Sequence, residues 1–567
     1  MRFLTAAILF VVSATLILLG LAQRTIWHPP AAHVQHLQTS KSASLLVIKH
    51  SVLTQYPGTP KITVNGGGKV YIATARQSDI DAWVGSTTHL QVSEVTSGSG
   101  SSPVIALLSG SGKPANPAGS DLWRTEVTGS TSAALRVATA EQAAVLVAAD
   151  GISPAPTNLV IQWPIDFNTV PSNVMIIVGG VLLLAALVVN IWAWYHMRKL
   201  RGPRRRTPKA PQGPRLRRQK TRSSAPVRGR RSARNFAVLA ATSVLLGGLT
   251  GCTSSGQASP TPTSSVPNAI QQPPVVTTFQ LHRIVRQISA VVRAADSARD
   301  SKLLAGRVAG PALDSRKAHY TLQKASKKVN ALPPIASAKL KVILPAATNL
   351  WPRTVMVITS NGVTDTLPQM LVLQQKSPRA QYQLWYNIDM LPGVKLPVVN
   401  TAAVGAIPVA SDSLFLKIAP NALPVAFGDL IDNGPSSLSA PMFNVTNDEY
   451  YQQIYASQQS QAQTLNNATI KMKHLLGDPN VLSLSTLNSG ALVAVYMNDK
   501  YVIKPKDRTQ AVAVSGNEKL MLGAAGSATG IKSFYGSMLL FYVPSISSKD
   551  KIITLGATQE LLSVKSL

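Results

Sequence analysis

Leu249-Thr250-Gly251-Cys252 sets the layout of this chain, because Cys252 is the only cysteine among its 567 residues. A short apolar run, Phe236 to Leu249, lies just upstream, and a dense basic stretch lies upstream of that. Downstream comes Thr253-Ser254-Ser255-Gly256-Gln257-Ala258-Ser259-Pro260-Thr261-Pro262. A basic region, an apolar region of about 7–15 residues and small residues before a cleavage point make a secretory signal. With a cysteine in the next position the order is that of a bacterial lipoprotein signal, with Leu249, Thr250 and Gly251 as the lipobox and Cys252 as the lipidated residue. Here that signal sits mid-chain, over 236–252. The alternative is a third transmembrane helix over the same residues, although the run is short for a bilayer span of about 20 residues.

The net charge of +31 is concentrated upstream of this signal: Arg198 to Arg234 holds sixteen Lys/Arg and no acid, whereas residues 25–170 carry eight of each sign. Arg204, Arg205, Arg206, Arg217, Arg218, Arg230 and Arg231 are interleaved with Pro, Gly, Gln and Ser, without apolar periodicity. That composition predicts a disordered loop over 198–235. The loop has no aromatics on which bases could stack, so nucleic acid is not expected as a partner. Anionic headgroups of membrane lipids are, each basic residue near the surface being worth about 1 kcal/mol.

Two longer apolar runs precede the loop. Phe3 to Ala22 has the length of a span, and Leu19-Gly20-Leu21-Ala22-Gln23 lacks a small-x-small cleavage site, so residues 1–24 read as an uncleaved signal anchor. Val174 to Tyr195 is a second span, within 171–197, closed by the interfacial aromatics Trp192, Trp194 and Tyr195. The excess of Lys/Arg after it places the basic loop in the cytoplasm and residues 25–170 outside. The third run then returns the chain, so that residues 253–567 are outside as well. A lone cysteine allows no intrachain disulfide and no Cys-based zinc site.

Residues 25–170 read as β structure. Leu45 to Ile48, Lys61 to Val64, Val70 to Ala73, Leu90 to Val95, Leu135 to Val137, Ala144 to Ala148 and Leu159 to Trp163 are short runs of β-formers separated by Gly/Ser/Pro turns, as in a sandwich. Asp79-Ile80-Asp81-Ala82-Trp83 and Asp121-Leu122-Trp123 read as acids that satisfy turn amides next to core tryptophans. A Ser/Thr/Pro tether, 253–274, leads into an α+β region. Leu281, Ile284, Val285, Ile288, Val291, Val292 and Ala295 mark an amphipathic helix, a second restarts at Gly310-Pro311, and strands follow at 355–359, 370–374 and 382–388. The order repeats, with a helix expected over 448–476 and strands at 491–497, 511–514, 520–522, 537–543 and 552–555. The expected fold class is therefore a multi-domain membrane protein: membrane helices, an all-β sandwich-like module, and an α+β module in two cone-like units of helix on curved sheet, 275–440 and 441–567.

Asp79-x-Asp81-Ala82-Trp83-x-Gly85, Ala149-Asp150-Gly151, Pro154-Ala155-Pro156 and Trp163-Pro164 resemble a group of uncharacterised membrane proteins of actinobacteria, over residues 1–197. Gly310-Pro311-Ala312-Leu313, Trp351-Pro352-Arg353, Ser377-Pro378-Arg379-Ala380-x-Tyr382, Leu391-Pro392-Gly393 and Phe541-Tyr542-Val543-Pro544 resemble a lipoprotein-type domain of unknown function from the same bacteria, over residues 252–567. The two resemblances imply an exported, lipid-anchored product made by joining two proteins that can exist separately. They imply no chemistry.

No HExxH, P-loop or GxSxG string occurs, and Ser548-Lys549-Asp550-Lys551 lacks the partner motifs of a penicillin-binding site. No cofactor, metal or catalytic residue is assigned. The expected function is a non-catalytic envelope protein acting as scaffold, assembly factor or ligand-capture module, with an envelope protein or wall polymer as partner. The alternatives are an extracytoplasmic small-molecule sensor, and an enzyme on wall glycans drawing its carboxylates from Asp389, Asp429, Asp432, Asp448 and Glu449.

Overall fold

The structure, a computed structural model, describes residues 2–26, 32–97, 100–165, 170–200, 272–362, 366–507 and 509–567. The lipobox, Cys252, the third apolar run, the seven arginines of the basic loop and the tether as far as residue 271 lie outside these residues. The chain forms two compact units, residues 1–29 with 168–269 and residues 30–167 with 270–567.

Helix α1 (Arg2–Thr25) belongs to the first unit. The first module of the second unit follows, with β1 (Ala32–Leu37), β2 (Leu45–Ile48), α2 (His50–Leu53), β3 (Lys61–Asn65), β4 (Val70–Arg76), α3 (Gln77–Val84), β5 (His89–Ser97), β6 (Gly100–Leu108), β7 (Thr125–Gly129), β8 (Ser132–Arg136), β9 (Ala143–Ala148) and β10 (Asn158–Pro164). One sheet has the order β1-β10-β3-β8 and the other β6-β5-β2-β9-β4-β7. Ile62, Val64, Leu159 and Ile161 of the smaller sheet share a core with Leu46, Ile48, Ile72, Val92, Val145 and Val147 of the larger.

Because side chains alternate across a strand, the intervening residues of the larger sheet point the other way. Leu45, Val47, Tyr71, Ala73, Leu146 and Ala148 form a second buried cluster with Trp83, Trp123 and, from far along the chain, Trp351. This two-sided burial explains the unbroken apolar runs of β2 and β9. The larger sheet is a middle layer. Asp79 and Asp81, expected in a turn ahead of a strand, stand instead on helix α3, whose C-terminus is closed by Gly85 at φ 56°.

Helix α4 (Val170–Leu200) returns to the first unit and packs antiparallel on α1. Both helices are long and apolar enough to cross a membrane. Their seam repeats every seven residues with small side chains: Ala6, Ser13 and Gly20 on α1 face Ser172, Gly179, Ala186 and Ala193 on α4, all buried. A Cβ on Gly20 would sit 2.7 Å from Ile176 Cγ1, and one on Gly179 would sit 2.7 Å from Ile17 Cγ1. Ser13 Oγ donates to Gly179 O at 2.8 Å. Close backbone approach of this kind holds apolar helices together where no hydrophobic force separates helix from lipid.

The second module begins with α5 (Thr278–Ala298) and α6 (Gly310–Ala325), followed by β11 (Lys339–Pro345), β12 (Arg353–Ser360), β13 (Gln369–Gln375) and β14 (Gln383–Asp389) in one antiparallel sheet. Helix α5 starts on a capping box between Thr277 and Gln280, which satisfies two otherwise orphaned amides. Then come α7 (Leu423–Asn433), α8 (Glu449–Thr464), β15 (Ala468–Ser485), β16 (Ala491–Pro505), β17 (Val512–Ala513), α9 (Gly516–Leu522), β18 (Gly526–Ser527), β19 (Ile531–Val543) and β20 (Ile553–Ser566). The sheet β15-β16-β19-β20 is again a middle layer. Leu492, Ala494, Met538 and Leu540 share a core with α5 and the preceding sheet, whereas Val493, Val495, Leu539 and Phe541 pack with α7 and α8 residues such as Phe427 and Tyr451.

Two local expectations are corrected. The helix expected over 448–476 stops at Thr464, and Ala468 onward is strand; Asn466-Asn467 interrupts the helix, and Ile470, Met472 and His474 alternate with Thr469, Lys471 and Lys473 at a strand's period of two. Residues 520–522, expected as strand, end helix α9, which stops at Gly523 with φ 72°.

Candidate interface between the two modules

Asp79 and Asp121 are the centres of the contact between the first and second modules. Asp79 is 3% exposed. Its Oδ2 accepts Arg76 Nε at 2.8 Å and its Oδ1 accepts Arg76 Nη2 at 3.0 Å. From the second module, Arg353 Nη2 donates to the same Oδ1 at 2.7 Å. Arg353, the first residue of β12, is fully buried, and its guanidinium lies 3.6 Å over the Trp351 ring. Burial lowers its pKa, against the pull of neighbouring Asp79.

Asp121, 1% exposed, is held wholly from the second module. Arg307 Nη1 donates to its Oδ2 at 2.6 Å and Arg307 Nη2 to its Oδ1 at 3.2 Å. The Tyr382 backbone N–H donates to Oδ2 at 2.7 Å. Gln287 Oε1 accepts the remaining reach of Arg307 Nη2 at 2.5 Å. Such two-pronged arginine–carboxylate pairs combine charge with fixed geometry. Removing one partner leaves a buried charge uncompensated, at a cost of about 3–5 kcal/mol.

Main-chain carbonyls of the first module complete the contact. Gln280 Nε2 donates to Asp121 O at 3.2 Å and Leu122 O at 2.9 Å, and Arg283 Nη2 to Trp123 O at 2.7 Å. Arg379 donates to Trp83 O at 2.8 Å, Val84 O at 3.2 Å, Lys113 O at 2.7 Å and Thr87 Oγ1 at 2.7 Å. It thereby caps the carbonyl end of α3, where a cation is favoured. Trp83 and Trp123 pack together below it, ring centroids 5.5 Å apart.

A family described as a domain of unknown function, DUF8094, matches residues 272–566. The chain belongs to this family. No curated protein matches it, and no solved structure does. Arg283, Arg307, Arg353 and Arg379 all belong to the DUF8094 domain, whereas Asp79, Trp83, Asp121 and Trp123 precede it. The aspartates do not serve turn amides as expected: Asp121 pairs with Arg307, 186 residues away, and Asp79 pairs with the neighbouring Arg76 and with Arg353, 274 residues away. A signal was present: Asp79 and Trp83 on one side, and Trp351, Arg353, Arg379 and Tyr382 on the other, stand inside the strings that carry the two resemblances. Sequence alone did not pair them.

The DUF8094 domain also encloses a polar network. His474 Nδ1 lies 2.7 Å from Asp432 Oδ1, and His474 Nε2 lies 2.8 Å from Gln458 Nε2 and 3.9 Å from Asp499 Oδ1. Asp499 Oδ2 accepts Ser537 Oγ at 2.5 Å and Gln559 Nε2 at 2.8 Å. Burial raises the pKa of Asp499, against the pull of His474. Gln559 also lines a cavity of about 390 Å³ with Ser515, Asn517, Glu518, Tyr535 and Glu560. The five carboxylates considered for glycan chemistry have separate roles or places. Asp448 accepts the Tyr451 and Thr554 amides, Asp429 bonds Ser437 and Asn433, Asp432 holds His474, Glu449 opens α8, and Asp389 lines another cavity.

Proposed function

We propose that this chain is a non-catalytic membrane-held scaffold of the cell envelope, which presents its first module and its DUF8094 domain together, outside the membrane, to an envelope protein or wall polymer. The observation that carries this reading is the seating of Asp79 and Asp121 among arginines of the DUF8094 domain. Two modules locked by buried charge lie on one side of a membrane. The first module is spliced between the adjacent ends of α1 and α4, so the chain leaves α4 on the opposite side. It must come back before residue 272, and Phe236 to Thr250 is the apolar run available for the return. The basic loop then lies on the cytoplasmic face, as the positive-inside rule requires. Cys252 emerges at the outer surface, where a lipid would add about 0.8 kcal/mol of anchoring per buried CH₂.

The test has two arms. In a Cys252→Ala background, Lys41→Cys and Leu438→Cys, both at exposed positions, react with a membrane-impermeant maleimide on intact cells, and Ser223→Cys reacts only after lysis. Protection of Leu438→Cys in intact cells overturns the shared side. In a deletion strain, the isosteric pair Asp432→Asn with Asp499→Asn restores the envelope phenotype, whereas Arg353→Glu with Arg379→Glu does not. The opposite result makes the polar network, and with it a sensor or an enzyme, the working part.

A further inference from the structure

We infer that the DUF8094 domain stays docked on the first module without any covalent connection, so that a chain cut between residues 201 and 271 remains one protein in two pieces. Among the described residues, contacts that join the modules come from well beyond that segment. They run from Arg307, Arg353 and Arg379 to Asp121, Asp79 and the end of α3, across separations of 186, 274 and 296 residues. The anchors are of the type that dominates association between separate proteins: arginines and tryptophans at the centre of a desolvated patch. Trp351 packs into the same cluster as Trp83 and Trp123, and Arg379 lies 5.0 Å from the Trp83 ring centroid.

The contact is also two-sided in its requirements. The face of the larger sheet carrying Val47, Tyr71 and Leu146 is covered by Trp83, Leu122 and Trp123 of the first module, and Trp351 of the second packs against that cluster; Asp121 is buried with Arg307 of the second module as its ion-pair partner. A buried carboxylate whose ion-pair partner comes from the other module does not belong on a free surface. A covalent connection of any kind contributes only an effective concentration, in the mM range or below. The docked state gains nothing further from it. The consequence is specific: the DUF8094 domain is retained at the membrane through the first module and the α1/α4 hairpin, with or without a lipid on Cys252. This inference is independent of the scaffold reading, since a sensing or catalytic DUF8094 domain would dock in the same way.

The experiment uses the full chain carrying Cys252→Ala, with a site-specific protease sequence in place of residues 256–262 and a tag at each end. After cleavage in isolated membranes at physiological salt, the carboxyl-terminal piece has no anchor of its own. It is expected to sediment with the membranes and, after mild detergent, to co-elute with the amino-terminal piece. Appearance of the cut piece in the supernatant overturns the inference. Arg379→Glu, at the exposed rim of the contact, is expected to increase release by on the order of tenfold or more. Equal retention of wild type and Arg379→Glu after cutting also overturns it, because retention would then have another cause.

Discussion

The α1/α4 hairpin and the junction between the modules each join segments more than a hundred residues apart, and they are built from opposite materials. The hairpin brings Ser13, Gly20, Ser172 and Gly179 together, with Ser13 bonded to Gly179 within the seam and Arg24 to Asn173 at its end. The junction buries two carboxylates among arginines, with tryptophans around them. In lipid, a helix gains nothing by hiding apolar surface, so shape decides the pairing. Between two water-soluble faces, apolar area gives affinity, and buried charge penalises every partner that lacks the complementary ion.

The largest expected effect comes from removing a charge at the junction. Arg307→Ala strands Asp121, and the intact protein is expected to lose about 3–5 kcal/mol. Tryptophan fluorescence during denaturation reports it, because Trp83 and Trp123 sit at the contact. The hairpin should respond to bulk instead. Gly179→Leu drives a side chain into Ile17, and overpacking of this kind costs about 1–3 kcal/mol. Energy transfer between labels on α1 and α4 should fall for Gly179→Leu. Ser13→Ala, which removes only a hydrogen bond, should cost about 0.6 kcal/mol.

Acidity should separate the DUF8094 domain from the hairpin. Burial raises the pKa of Asp389, Asp448 and Asp499. His319 is also raised: burial, the largest single influence, opposes its charged form, but the hydrogen bond and charge of Glu560 and the hydrogen bond to the Asn330 carbonyl together outweigh it. A group raised on folding stabilises below its unfolded pKa, and that contribution is lost as pH rises through the folded value. The carboxylates act above the ordinary range near 3.9, and His319 acts above about 6.5. The DUF8094 domain is therefore expected to melt at a higher temperature at mildly acidic than at mildly alkaline pH, while pairing of α1 with α4 stays unchanged. Calorimetry beside the energy-transfer assay checks both. The smallest effect is assigned to Asp81→Asn. Its pairing with Lys49 at 3.3 Å is half-exposed, so the loss should stay within about 1 kcal/mol and vanish at high salt.

Much of this architecture was legible in the chain. The runs Leu45 to Ile48 and Ala144 to Ala148 announced buried strands, and Leu281 to Ala295 announced the core face of α5, because local periodicity reports local burial. What was not legible was pairing at a distance. Nothing in Asp121-Leu122-Trp123 says that its acid meets Arg307 rather than a turn amide, since both environments favour the same residue. The small seven-residue repeats of α1 and α4 were hidden for the same reason: each reads as an ordinary apolar span until the two are laid side by side. Beyond residue 464, a polar strand resembles a continuing helix because its alternation, Ile470, Met472, His474, is weak in apolar contrast.

The most direct test of the account is a double-mutant cycle on Asp121→Asn and Arg307→Gln in the intact protein. The account predicts that each single change is costly and that the double variant costs little more than either, giving a coupling of about 1.5 kcal/mol or more. Additive losses, with coupling under about 0.5 kcal/mol, would contradict the claim that buried charge locks the two modules together.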